Sequence, residues 1–108
     1  MNETLVKVQA NVTQGRVRVS QHGAQELTDD NIEIDDVIAG VAAAVAIEDY
    51  PDYHKGPSVL CLQKDAEGNS IHILWGLADA NPEVATIITA YRPDPSRWMP
   101  DHMTRREQ

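Results

Sequence analysis

The stretch SVLCLQKDAEGNSIHILWGL, residues 58–77, decides the fold. Ser58 to Lys64 is rich in apolar residues with strand propensity and predicts a strand. Asp65-Ala-Glu-Gly-Asn69 is turn chemistry, and Ile71 to Leu77 predicts a second strand with Ile71, Ile73, Trp75 and Leu77 on one face. Two strands joined by so short a turn pair antiparallel, because a parallel pair needs a long crossover. Downstream, a turn over Asp79–Glu83 around Pro82 leads to a strand from Ala85 to Tyr91, rich in isoleucine and threonine. Upstream, Ala43 to Tyr50 predicts a strand that ends at Pro51, and the proline-rich Pro51–Pro57 predicts a loop.

The N-terminal half reads differently. Leu5, Val8 and Val12 fall at helical spacing before Gly15, although Val6, Val8, Ala10 and Val12 also fit a strand. Arg16 to Val19 is a short alternating stretch. Ser20 is a good N-cap for a helix from Gln21 to about Asp29. Asp35 and Asp36 suit the positive end of a further helix whose apolar face is Val37, Ile38 and Val41, weakened near its end by Gly40. Helices first and strands afterwards is an α+β pattern. The expectation is one domain over residues 1–108, with two or three N-terminal helices packed on a roughly four-stranded, mainly antiparallel sheet. The Pro-rich, then charged tail beyond Arg92 is expected to be ordered only through Trp98.

Composition bounds the function. With 42% apolar and 24% charged residues, a chain of 108 residues is globular and long enough for one core. A single cysteine excludes a disulfide framework and any multi-cysteine metal site. No apolar run approaches the ~20 residues that span a bilayer, and the N-terminus lacks the apolar core of a signal peptide, so a cytoplasmic protein with no membrane partner is expected. Nine Lys and Arg stand against seventeen Asp and Glu, a net charge of −8. Nine of those acids lie between Val19 and His54, where Lys and Arg are absent. That run is either a solvated face or a docking face for a basic partner. It opposes loose nucleic-acid binding, so any RNA contact needs a local cluster of cations, and the late arginines are the candidates.

Several side chains suit chemistry. His22 and Glu26 share a helix face, either as a base with its orienting carboxylate or as a surface pair. No third ligand at a recognised spacing joins them, so no metal or other cofactor is expected. His72 sits on the strand face opposite Ile71 and Ile73, as a proton carrier on an open face or as a hydrogen-bonded interior histidine. Tyr50, Tyr53, His54 and Lys55 crowd the proline-rich loop, where Lys55 either meets a phosphate or offsets Asp52. Tyr91, Arg92, Arg97 and Trp98 bracket AYRPDPSRW, which suits phosphate and stacking contacts or a structural tail with Trp98 packed on the sheet. Cys61 reads as a small core residue.

Four stretches together, VSQHGAQEL at 19–27, IEDYPDYHKGPSVLCL at 47–62, GNSIHILWG at 68–76 and TAYRPDPSRW at 89–98, resemble the bacterial domain-of-unknown-function 4258 family over about residues 16–106. Members of that family look similar to RelE- and MqsR-like toxins, small α+β ribonucleases. The resemblance implies a RelE-like fold and a toxin-like, metal-independent endoribonuclease acting on mRNA, held in check by a zinc-finger antitoxin. The residues expected to be catalytic, His22, His72 and Tyr91, match positions of the family's motifs, as does Tyr50, which with Lys55, Arg92 and Arg97, read from the residues alone, makes the expected substrate-binding set. Many members carry His-Ala-x-x-Arg-Met with another arginine four residues later. Here Gly23, Glu26 and Asp30 stand at those positions, which reverses two charges and moves the phosphate site toward Arg92, Arg97 and the tail. The alternative is a non-catalytic relative whose acidic face binds a protein.

Overall fold

The computed structural model describes residues 2–78 and 81–107. Helix α1 (Glu3–Thr13) resolves the N-terminal ambiguity in favour of the helix. Asn2 caps it, its Oδ1 accepting the Leu5 N–H at 2.8 Å. Gly15, at φ 74°, turns the chain just beyond it. Strand β1 (Val17–Val19) follows, then α2 (Gln21–Asp29), α3 (Ile34–Gly40) and a 3₁₀ turn (Val41–Ala43). Ser20 does cap α2, accepting the Gly23 N–H at 2.9 Å. The strands β2 (Val45–Tyr50), β3 (Ser58–Lys64), β4 (Ser70–Ala78) and β5 (Asn81–Tyr91) complete the order.

The sheet has five strands in the order β1-β5-β4-β3-β2. The three pairs from β2 to β5 are antiparallel, but β1 runs parallel to β5, with Val17 opposite Ala85. The expected four-stranded, antiparallel arrangement is therefore corrected to a five-stranded mixed one. The added strand is three residues from the Arg16–Val19 stretch, too short for its alternation to stand out. A second correction concerns the turn expected over Asp79–Glu83. Asp79 and Ala80 lie outside the described residues, while Asn81, Pro82 and Glu83 already belong to β5. Pro82 is tolerated because β1 first meets β5 at Ala85, so no partner on that side needs its missing N–H.

The core lies between the helices and one sheet face. Leu5, Val8, Val12, Leu27, Ile32 and Val37 from the helical half pack on Cys61, Ile71, Ile73, Trp75, Leu77 and Ile87. Gln63 also points inward, where its Oε1 accepts the Trp75 Nε1–H at 2.8 Å and its Nε2 donates to the Val37 carbonyl at 2.9 Å. The opposite face carries, row by row, Leu62, His72 and Tyr91; then Glu48, Leu60, Leu74 and Thr89; then Tyr50, Ser58, Gly76 and Thr86.

The tail is a third correction. It is described through Glu107 and folds back on itself, with Trp98 bridged to Arg105. Trp98 is 2% exposed. Asp94 and Asp101 nucleate its turns by accepting backbone N–H groups two and three residues ahead. No helix among the described residues is long and apolar enough to cross a membrane.

Candidate functional site

Two regions share the sheet face that the helices leave open. The first is a groove of about 920 Å³. One wall is the start of α2 with Ser20, Gln21, His22 and Gln25, and Arg18 stands just before it. The other wall is the loop carrying Tyr53, Lys55 and Gly56. The floor is Ser58, Leu74, Gly76, Thr86, Ile88 and Thr89. Local sequence builds each part. Gly23 lets α2 approach β5 so closely that a Cβ there would sit 2.6 Å from the Ile87 carbonyl oxygen. A β-bulge opposite Leu74 and Trp75 leaves Ile88 unpaired in the register and adds it to the floor.

The electrostatics of this groove run against those of the whole chain. Arg18, His22 and Lys55 line it, and no Asp or Glu among the described residues does. His22 is 66% exposed, and its Nε2 lies 3.0 Å from Glu26 Oε1. Among the described residues neither Arg18 nor Lys55 forms an ion pair. No group of three His, Cys, Asp or Glu residues gathers as a metal site among the described residues.

The second region lies beneath the tail and holds His72 and Tyr91. His72 is 0% exposed. Its Nε2 is 2.6 Å from the His102 carbonyl oxygen, so Nε2 carries the proton and donates. Its Nδ1 then accepts from the Tyr91 hydroxyl at 3.2 Å. The Trp98 ring stands edge-on at 4.4 Å. Burial pulls the His72 imidazole below its usual value and pushes the Tyr91 hydroxyl up to about 12. At the rim, Arg105 grips Glu48 with Nε and Nη2 at 2.6 and 3.0 Å and lies over the Trp98 ring. The Tyr50 hydroxyl donates to the same carboxylate. The Arg105 bond holds Glu48 below the usual carboxylate range.

Of the residues expected to act together, then, His22 and Lys55 meet in the groove. His72 and Tyr91 meet each other one row of the sheet away, His72 buried and Tyr91 half-buried. Tyr50 stands at the margin, bonded to Glu48. Arg92 is elsewhere and fully occupied: Nε donates to the Asp30 carbonyl at 3.1 Å, Nη1 to Asp65 Oδ2 at 3.0 Å and Nη2 to the Asn31 carbonyl at 3.0 Å. Its backbone N–H donates to Asp30 Oδ2 at 2.8 Å. Arg97 lies exposed in the tail and takes no part in the groove. Arg18 is the cation that the sequence reading passed over. Its signal was its position two residues before an N-cap, where a side chain projects toward a helix start.

A model of the family described as Domain of unknown function (DUF4258) matches residues 19–92. The chain belongs to the DUF4258 family. No curated protein and no solved structure matches it. The DUF4258 segment contains His22, Tyr50, Lys55, His72, Tyr91 and Arg92. It stops short of Arg97, Trp98, His102 and Arg105, so the element that covers His72 lies outside the matched residues. The two acids that replace arginine in the DUF4258 pattern both have partners. Glu26 pairs with His22 and Asp30 holds Arg92, which explains how the chain keeps these carboxylates without stranded charge.

Proposed function

We propose that this DUF4258 protein is a toxin-like, metal-independent endoribonuclease acting on mRNA, that its groove binds the RNA, and that its fold is related to RelE-like toxins. The observation that carries this reading is the groove's charge. A chain of net charge −8 opens a cleft of about 920 Å³ between Arg18, His22 and Lys55, with no carboxylate in the lining among the described residues. Local cations are what a phosphodiester backbone requires when the overall field repels it. Tyr53 and the apolar floor of Leu74 and Ile88 suit the faces of unstacked bases.

In such a cleavage a base takes the 2′-hydroxyl proton and the 2′-oxygen attacks phosphorus. The bond to the 5′-oxygen breaks, and an acid supplies that oxygen with a proton. The products are a 2′,3′-cyclic phosphate and a 5′-hydroxyl. His22 is the groove imidazole placed to take the proton, with Glu26 orienting its ring, and Arg18 and Lys55 offset phosphate charge. A zinc-finger antitoxin is the proposed partner.

Labelled total RNA, incubated with purified protein and EDTA, tests the proposal. Wild-type protein should produce cyclic-phosphate fragments, and His22→Ala and Lys55→Ala should lose them. Intact RNA with all three proteins, ribosomes included, rules the proposal out.

A second reading has its own observation. Asp29, Glu33 and Asp35 are exposed on or beside α2 and α3, and the arginine nearest them, Arg92, is consumed by Asp30 and Asp65. That acidic surface suits a basic protein partner and a non-catalytic role. Stable capture of a basic protein by wild-type chain, lost in Asp29→Lys/Asp35→Lys, together with intact RNA, favours it.

A further inference from the structure

The groove and the His72–Tyr91 pair lie on the same sheet face in adjacent rows. Leu74 and Thr89, which floor the groove, are each two residues from His72 and Tyr91 on β4 and β5. Two residues along a strand is about 7 Å. The tail packs over the second region, with its His102 carbonyl and Trp98 ring on His72. We propose that the C-terminal segment from Pro93 to Glu107 is an autoinhibitory cap. Its displacement extends the groove over His72 and Tyr91 and completes the proton-transfer set that His22 begins.

Three observations support this. First, every backbone–backbone hydrogen bond made by the described tail residues is internal to the tail. Met99 N–H donates to the Thr104 carbonyl, Arg106 N–H to that of Arg97, and Trp98 N–H to that of Asp94. The tail is therefore a folded unit that no ladder ties to the sheet. It docks through side chains and one carbonyl, so it can leave as a unit. Second, apart from the buried Trp98 ring, its anchors are few, polar and lie at its edge. Arg105 holds Glu48 with a side chain 57% exposed, and the His102 backbone, at φ 59°, presents its carbonyl to His72 while its ring Nδ1 sits 2.9 Å from Ser70 Oγ. Pro93 and Pro95 stiffen the link, so the segment swings at Arg92, which its four hydrogen bonds fix to the body. Third, the capped groove is chemically incomplete. Cleavage of a phosphodiester needs a proton acceptor and a proton donor, and His22 is the one imidazole among the described lining residues, while the second imidazole of this sheet face, His72, is covered. Lifting the tail frees His72 Nε2 and the Tyr91 hydroxyl beside the existing floor.

This inference rests on the groove binding RNA, and the test separates the two. The probes are a short fluorescein-labelled single-stranded RNA, read by anisotropy, and diethylpyrocarbonate labelling of histidines, read by mass spectrometry. Arg105→Glu sets a carboxylate against Glu48 at an exposed position, where the chain still folds. It should make His72 reactive, tighten RNA binding about tenfold or more, because the competent fraction rises, and let bound RNA protect His72 as well as His22. The charge swap Glu48→Arg/Arg105→Glu restores the anchor and should return both readouts to wild type. If RNA protects His22 but Arg105→Glu exposes His72 without tighter binding, the cap is overturned and the groove stands. A His72 that stays unreactive in both Arg105→Glu and Arg105→Ala shows the tail to be a fixed part of the fold and overturns it too. If RNA protects neither histidine in any variant, the groove reading fails and takes the cap with it.

Discussion

His72→Leu tests whether the imidazole is held as the geometry says. The substitution keeps an apolar side chain of similar size and removes two hydrogen bonds, one accepted from the Tyr91 hydroxyl at 3.2 Å and one donated to the His102 carbonyl at 2.6 Å. Each bond contributes about 1 kcal/mol net, and a carbonyl left without its donor costs about 1–2 kcal/mol more, so the loss at pH 7.5 is about 2–4 kcal/mol. The pH dependence sharpens the test. Burial lowers the folded-state pKa of His72 below the 6.5 of the free side chain. Between those two values the unfolded chain binds more protons, so stability falls with acidification. The His72 contribution is full above pH 6.5 and is lost as pH drops through the lowered folded value, at no more than about 1.4 kcal/mol per pH unit for one proton. Urea unfolding followed by tryptophan fluorescence, from pH 7.5 down to 5, measures it, because Trp98 contacts the ring. His22, His54 and His102 are common to both proteins and cancel in the difference. The gap between wild type and His72→Leu should narrow below pH 6.5. A gap within about 0.5 kcal/mol at pH 7.5, where a lost bond alone exceeds that, or a gap constant across the range, refutes the reasoning.

Gly23→Ala places a methyl group 2.6 Å from the Ile87 carbonyl oxygen, so α2 must move off β5; a loss of about 1–3 kcal/mol in thermal or urea unfolding is expected, and an unchanged midpoint contradicts the close approach. Gln63→Leu strands the Trp75 indole N–H and the Val37 carbonyl in the core, at about 1–3 kcal/mol each, read in the same unfolding assay. Arg92→Ala should lower the urea midpoint while leaving the RNA affinity of the folded protein within twofold or so of wild type, since its donors are spent on Asp30, Asn31 and Asp65 rather than the groove. Cys61, buried and with its thiol pushed up to about 12, should resist a thiol reagent at pH 8 until the chain is unfolded, and rapid native labelling would show that β3 is open there.

Periodicity made much of this legible. Ile71, Ile73, Trp75 and Leu77 alternate cleanly, so β4 and its core face could be read directly, and Ser20 announced α2. Strand β1 could not, because three residues carry no usable period and its parallel partner lies near the far end of the chain. Tertiary pairing decided it, as it decided that Pro82 would sit inside β5. For the site, sequence gathered the right residue types but not their company. His22 and Lys55 face one groove because α2 runs along β5, a contact set by Gly23. The alternation that put His72 opposite Ile71 and Ile73 was correct, yet which of the two roles open to it the fold selects depended on a tail expected to be ordered only through Trp98. Arg92 looked like a phosphate ligand because nothing local shows that Asp30 and Asp65 converge on it.

The order in which the sheet is built has a consequence for synthesis. Strands β2 to β5 join through neighbours in sequence, so the meander can zip as it emerges. Val17 must wait for Ala85, and α2 docks only where β5 already exists. The groove, made of α2 on one side and β4 and β5 beneath, therefore has no counterpart in a half-made chain. Whatever the groove does, it does not exist until β5 has been made, and the tail that closes over the same sheet face is the next segment to emerge.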